Sequence, residues 1–261
     1  MSEQSAGISA ARILNVAAIL VSVVGLGFGL YALASSLGVW MGMWDFRQGF
    51  SMLRTLSTPA PWIMGVGALV TVSAFVGATA LSLGNSTRLA TLALSGTIAV
   101  ALAYYVPTSF RSGGYPGIHD ISTDAVNPPA YIAIAPLRAD APNSMVYGED
   151  QDRTAEGLWE IQQGAYPDIV PQRFNDSVEQ VFNRAVEAVD TMGWELVDAN
   201  LTDGRIEATD TTFWFRFKDD VVVYISRDGN ETVVNARSLS RVGGGDFGKN
   251  ATRLREFFAL L

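Results

Sequence analysis

RSLSRVGGGDFGKNATRLREFFALL, Arg237 to Leu261, reads as the end of a strand carrying two arginines, a triple-glycine turn, and a helix that starts near Asp246. The helix is expected because Phe247, Ala251, Leu254, Phe258 and Leu261 recur at three- and four-residue spacing, which puts them on one face. Such a stripe has to be covered, so what precedes Arg237 must supply a sheet for it to pack on.

Working back, Glu231 to Leu239, a piece ending near Asp228, Arg205 to Thr212, and Trp194 to Ala199 are strand-like. Asp228-Gly229-Asn230 and Thr202-Asp203-Gly204 separate them, with glycines suited to the positive φ of tight hairpins. Before the strands, Val178, Phe182, Ala185, Val189 and Met192 mark an amphipathic helix, opened by Asp176 and Glu179 as a capping box and stopped by Gly193. The expected fold is an α+β soluble domain with its helices packed on one face of an antiparallel four-stranded sheet. The aromatic run Phe213 to Phe217 is expected as a strand packing Phe213, Phe215 and Phe217 under a helix. Its alternative presents Trp214 beside Arg216 to a lipid surface or a partner.

Further upstream the composition changes. Residues Ile13–Ser36, Pro59–Gly84 and Leu89–Pro107 contain no charged side chain. Each approaches or exceeds the roughly 20 residues needed to cross a bilayer core of about 30 Å. The first is too long for a signal-peptide core of about 7 to 15 residues. They predict three transmembrane helices at about 13–36, 59–84 and 89–107, the last two forming a hairpin through the linker Gly84–Arg88. Gly65-x-Gly67 and Gly77-x-x-x-Leu81 suggest close helix packing. Trp40, Trp44, Phe46 and Phe50, mixed with Asp45, Arg47 and Arg54, suit either a short interfacial segment or a connecting loop. No ionisable group lies mid-span, so the region reads as an anchor or packing partner, not a transport path.

Charge divides the chain at the same place. Residues 1–107 hold four arginines and two acids, whereas residues 108–261 hold 14 basic and 24 acidic residues, giving +2 and −10. The acidic half excludes a nucleic-acid partner, which needs a concentrated basic surface. The absence of cysteine removes disulfides, thiol catalysis and the usual zinc sites. Residues 108–172, with Gly113-Gly114, Pro116-Gly117 and Pro128-Pro129, are expected to form an extended N-terminal segment of the domain. The acidic run Glu149–Gly157 lacks the ligand alternation and mid-loop glycine of a calcium loop, so neither a metal nor a cofactor is expected. Arg12 and Arg88 flank the spans on one side and Arg47, Arg54 and Arg111 on the other, a slight lean toward a cytoplasmic second half.

Around the glycine turn, Arg237, Arg241, Asp246, Lys249 and Asn250 form the strongest ligand-binding constellation, since guanidinium forks and a helix start suit an anion. The competing reading pairs these arginines with Asp219, Asp220 or Asp246 as a structural corner. His119, the single histidine, adjoins Asp120 and lies near Ser109 and Ser122. It supports a membrane-bound hydrolase using carboxylates or His119, though no catalytic residue is assigned. Asp120 and Asp124 are expected to cap turns. Asp219 and Asp220 are neighbours in a strand and so point to opposite faces.

Three strings, HDISTDAVNPPAY at His119–Tyr131, Asp219-Asp220 before VVVYI, and RSLSRVGGGDFGKNATRLREF, together resemble the bacterial and plastid family known as domain of unknown function 1499, over roughly Ile118–Leu261. The resemblance implies that the proline-rich string belongs to the domain, that the domain follows membrane helices, and that it sits on the periplasmic side of a bacterial inner membrane. It carries no activity over. The expected function is a membrane-anchored binding or interaction module of the bacterial envelope, recognising an anionic ligand, lipid or envelope protein, with the bilayer itself as a partner.

Overall fold

A computed structural model describes residues 2–80, 86–109, 114–150 and 153–261. It forms two compact units, Met1–Ser112 and Gly113–Leu261.

The first unit consists of helices α1 (Ser2–Trp40), α2 (Phe46–Ser57), α3 (Ala60–Ala80) and α4 (Ser86–Ser109). Three of them contain segments long and apolar enough to cross a membrane, Ala11–Trp40, Ala60–Gly77 and Thr87–Ser109. The expected linker Gly84–Arg88 falls partly on residues 81–85, which lie outside the described residues. α1 and α4 meet backbone to backbone at glycines: a Cβ on Gly25 would sit 2.2 Å from the Gly96 carbonyl oxygen, and one on Gly96 would sit 2.5 Å from that of Val21. In α3 it is Gly67 that makes the close approach, where a Cβ would sit 2.2 Å from the Thr97 hydroxyl, while a Cβ on Gly65 would meet nothing within 4 Å. Small residues allow this contact where no exclusion from water drives association. The hydroxyls of Ser22, Thr71 and Thr97 bond carbonyls one turn back, so these three donors are satisfied in the apolar seam. Outward-facing Leu30, Trp62, Leu69 and Phe75 are exposed, as a lipid-facing surface requires. The aromatic connection resolves as the helix α2, capped by Asp45 and burying Gly49, Met52 and Leu56. The Trp44 ring occupies the space a Gly38 side chain would fill, and its indole N–H donates to the Ser35 carbonyl at 3.0 Å.

The second unit contains β1 (Asp120–Ser122), a 3₁₀ turn (Ala135–Arg138), α5 (Ala155–Ala165), β2 (Gln172–Phe174), α6 (Val178–Thr191), β3 (Glu195–Asn200), β4 (Arg205–Thr211), β5 (Lys218–Asp228), β6 (Glu231–Ser240) and α7 (Lys249–Phe258). Its antiparallel sheet has six strands, not the four expected. The order is β1-β6-β5-β4-β3, and β2 also pairs with β6. β1 lies opposite Arg237–Leu239 and β2 opposite Thr232–Val234, so two short strands share the outer edge of β6 and protect it from further pairing. Within the expected segment 108–172, Asp120–Ser122 thus pairs into the sheet and Ala155–Ala165 forms α5.

Alternation along β5 and β6 gives each face its own contacts. Val221, Val223, Ile225, Val234 and Ala236 cluster with Val181, Phe182, Ala185 and Val189 of α6 and with Leu254 and Phe257 of α7. Trp194 stacks on Phe257 at 5.7 Å. From the opposite face, Val222 and Leu239 meet Tyr131 and Ile134 of the proline-rich string.

Local details differ from the sequence reading. The capping box of α6 is Ser177 with Gln180, one residue later than Asp176 with Glu179; the Asp176 carboxylate instead pairs with Arg184 at 2.8 Å. α7 begins at Lys249, not near Asp246, and Phe257 takes the fully buried place expected of Phe258, while Phe247 is half exposed. Residues 212–217 form the turn between β4 and β5 instead of a strand, because Arg216 adopts φ 54° and ends the extended backbone.

Candidate functional site

Where β5 begins and β6 ends, Asp219 stands opposite Ser240 and Asp220 opposite Leu239. The two aspartates diverge to opposite faces, and each organises part of a buried charge network.

Away from α6 and α7, Asp220 is fully buried and accepts from Arg138 at 2.6 Å, from Arg241 Nε and Nη2 at 2.9 Å, and from the Thr209 hydroxyl at 2.7 Å. Arg237 lays its fork on Asp120, Nε to Oδ1 at 2.8 Å and Nη2 to Oδ2 at 2.7 Å. Its remaining donors reach the carbonyls of Pro129 and Met145, and its guanidinium lies 5.3 and 5.5 Å from the ring centroids of Tyr131 and Tyr147. Burial holds the Tyr131 phenol well above its ordinary pKa, so it stays a neutral donor to the Asp220 carbonyl at 3.0 Å. Nearby, Glu207 accepts the consecutive backbone N–H groups of Ile132, Ala133 and Ile134, fixing the end of the proline-rich string to β4.

On the side of α7, Arg253 is almost wholly buried and donates to Asp219 at 2.6 Å, to Asp210 at 2.7 and 3.0 Å, to the Ser238 hydroxyl and to Asn250 Oδ1. Asn250 in turn donates to the His119 carbonyl at 2.8 Å and to the Ser240 hydroxyl at 3.0 Å. Asp246 accepts the backbone N–H groups of Gly248 and Asn250 at 2.8 and 2.7 Å, serving the start of α7. Burial pushes its carboxyl above the usual value, against the pull of those two bonds. Four guanidinium groups, Arg138, Arg237, Arg241 and Arg253, thus meet four carboxylates, Asp120, Asp210, Asp219 and Asp220. Ions can sit this deep only with their charges matched; the Arg138 Nε is buried with no hydrogen-bond partner among the described residues.

Of the residues singled out in the sequence, Arg237, Arg241, Asp246 and Asn250 are brought together as internal partners, whereas Lys249 is exposed. Arg241 has the expected partner Asp220; Arg237 takes Asp120 instead. Asp124 caps a turn through the N–H groups of Val126 and Asn127, but Asp120 does not. Sequence reading missed Arg138, Arg253 and Asp210. Arg253 carried a signal, since an arginine beside Leu254 and Phe257 on a buried helix face demands a buried anion. Arg138 carried none.

His119 is buried, with Nε2 2.9 Å from Asp150, which also accepts the Ser144 N–H. Among the described residues its Nδ1 has no hydrogen-bond partner. Beside it lies a cavity of about 10 Å³ lined by His119, Asp120, Gly148, Asp150, Arg153 and Leu158, room for about one water. The Ser122 hydroxyl donates to the Asp124 carbonyl. In the acidic run Glu149–Gly157, residues 151–152 lie outside the described residues, and Thr154 caps α5.

Three helices able to cross a membrane, followed by an antiparallel sheet domain knit by buried ion pairs, define the class of protein. The family described as protein of unknown function (DUF1499) matches residues 120–261, more than half of the chain, and the chain belongs to that family. All eight charged groups of the network lie within the matched span. No curated protein matches the chain.

Proposed function

We propose that the protein is a membrane-anchored interaction module of the bacterial envelope, held in the inner membrane by α1, α3 and α4, with the C-terminal domain on the periplasmic side. The observation that supports a module over an enzyme is the internal neutralisation of the corner. An anion reaching Arg237 would have to displace Asp120, and one reaching the inner edge of Arg241 would have to displace Asp220. Contact with an anionic ligand, lipid or envelope protein then falls to Lys249, to the backbone of the glycine turn and, at their edge, to Arg241 Nη1, which also donates to the Leu137 carbonyl at 2.9 Å.

The alternative, a hydrolase with His119 as base, draws on the His119–Asp150 pair. His119→Gln in the full-length protein separates the two readings, with thermal unfolding measured alongside the cellular phenotype. The module reading expects a folded variant that keeps its cellular role; a folded variant that loses it contradicts the module. A reporter active only in the cytoplasm, fused after Leu261, is expected to be silent, and activity would overturn the periplasmic assignment.

A further inference from the structure

Among the described residues, all four large aromatic side chains that the C-terminal unit leaves mostly exposed gather at one end of its sheet: Tyr115 at 49%, Phe213 at 65%, Trp214 at 55% and Phe247 at 50%. Register establishes the gathering. Phe213 and Trp214 sit in the turn between the paired residues Thr211 and Lys218. The Arg241 N–H donates to the Lys218 carbonyl, which brings the β6–α7 turn alongside, and the Asp246 N–H donates to the Ile118 carbonyl, which brings in the stretch that begins at Tyr115. The rings of Tyr115 and Phe247 meet edge to face at 6.3 Å, and those of Phe213 and Trp214 at 5.2 Å. At the opposite end the β5–β6 turn presents Asp228, Gly229 and Asn230.

Two further features mark this end. Arg216 and Phe247 are the non-glycine residues with positive φ among the described residues, both at 54°, a conformation that costs energy and recurs where side chains are held for a purpose. Arg216, Lys218 and Lys249 are exposed in and beside these turns, against one exposed acid, Asp140, on the loop that Asn143 ties to Gly243, in a half of the chain whose net charge is −10. Aromatic rings interleaved with basic side chains are the composition of a surface that rests in a headgroup layer. Tyr115 is also among the first described residues of this unit, so the chain enters the domain at this end.

We propose that this end is a membrane-resting face: Tyr115, Phe213, Trp214 and Phe247 seat in the headgroup layer of the bilayer that holds the three helices, and Arg216, Lys218 and Lys249 lie against lipid phosphates. The proposal rests on the anchored reading above. It assigns the aromatic turn a lipid partner, which the charge network neither needs nor supplies.

The absence of native cysteine makes the test direct. Single-cysteine variants Lys218→Cys, Asn230→Cys and Leu69→Cys of the full-length protein carry an environment-sensitive fluorophore and are reconstituted into phosphatidylcholine–phosphatidylglycerol vesicles with or without brominated acyl chains. Lys218→Cys keeps all four rings, and Leu69, exposed mid-helix in α3, reports insertion. Bromolipid is expected to quench the 218 label by about half, as suits a site seated about 5–10 Å into the interface, to quench the 69 label more strongly, and to leave the 230 label unchanged. Adding Phe213→Ser and Trp214→Ser, at positions too exposed to unfold the domain, is expected to remove most of the quenching at 218. A 218 label no more quenched than the 230 label, while the 69 label is quenched, overturns the resting face and leaves the anchor standing. Protection of the 218 label from aqueous iodide without bromolipid quenching means a protein neighbour and also overturns it. An unquenched 69 label overturns the anchored reading itself.

Discussion

At Asp220 two arginines and a threonine converge on one fully buried carboxylate. Neutralising it leaves Arg138 and Arg241 facing each other without a counter-charge. Asp220→Asn is therefore expected to destabilise the C-terminal domain by about 3–5 kcal/mol, read as a fall in the denaturation midpoint of the full-length protein in detergent; an unchanged midpoint would contradict the assigned pairing. The surface behaves differently. Arg255 holds the Asp168 carboxyl below its ordinary pKa with a fork at 2.5 and 2.7 Å, but the two side chains are 41% and 53% exposed. A depressed carboxyl binds its proton more weakly folded than unfolded, so its contribution is complete above the unfolded value and disappears as pH falls through the depressed one. Asp168→Asn is expected to cost at most about 0.5 kcal/mol near neutral pH, less in high salt and nothing at low pH, as unfolding compared across pH would show. At this scale the sequence disclosed which residues were unusual, not whom they met. Arg237 and Asp120 are 117 positions apart, and nothing local in either names the other.

Elements were legible where the local signal is strong. Gly204 and Gly229 do adopt positive φ in hairpin turns, and a Cβ on Gly204 would lie 2.1 Å from the Ile225 carbonyl oxygen. β1 and β2 escaped notice because three residues are too few to show an alternating pattern. Phe213 to Phe217 misled for the opposite reason: its alternation imitates a strand, yet Arg216 turns the backbone left-handed. Among the apolar helices, run length disclosed the elements but not their contact points, since Gly25 and Gly96 look like any other small residues in an apolar stretch until α1 lies on α4. Gly96→Leu would drive a side chain into the Val21 and Ser22 backbone. It is expected to separate α1 from α4, abolishing a disulfide engineered across that pair that forms readily in the parent protein; equal cross-linking in both would contradict the packing.

For the molecule as a whole, the composition break read near Pro107 falls in the last turn of α4, between a unit with three helices apolar enough to cross a membrane and an acidic unit whose buried charges are matched. The strings that resemble the family supply most of the buried charges. His119–Tyr131 contributes Asp120, the start of β5 contributes Asp219 and Asp220, and the final strand, turn and helix contribute Arg237, Arg241 and Arg253. These charged residues serve as the frame of the domain. A double-mutant cycle on Arg237→Met and Asp120→Leu, followed by pulse proteolysis of the full-length protein across urea, tests this claim most directly. Each single change is expected to cost about 3–5 kcal/mol and the pair together well under their sum, because the double variant leaves no buried charge alone. Two single variants as stable as the parent, with no coupling between them, would contradict the claim.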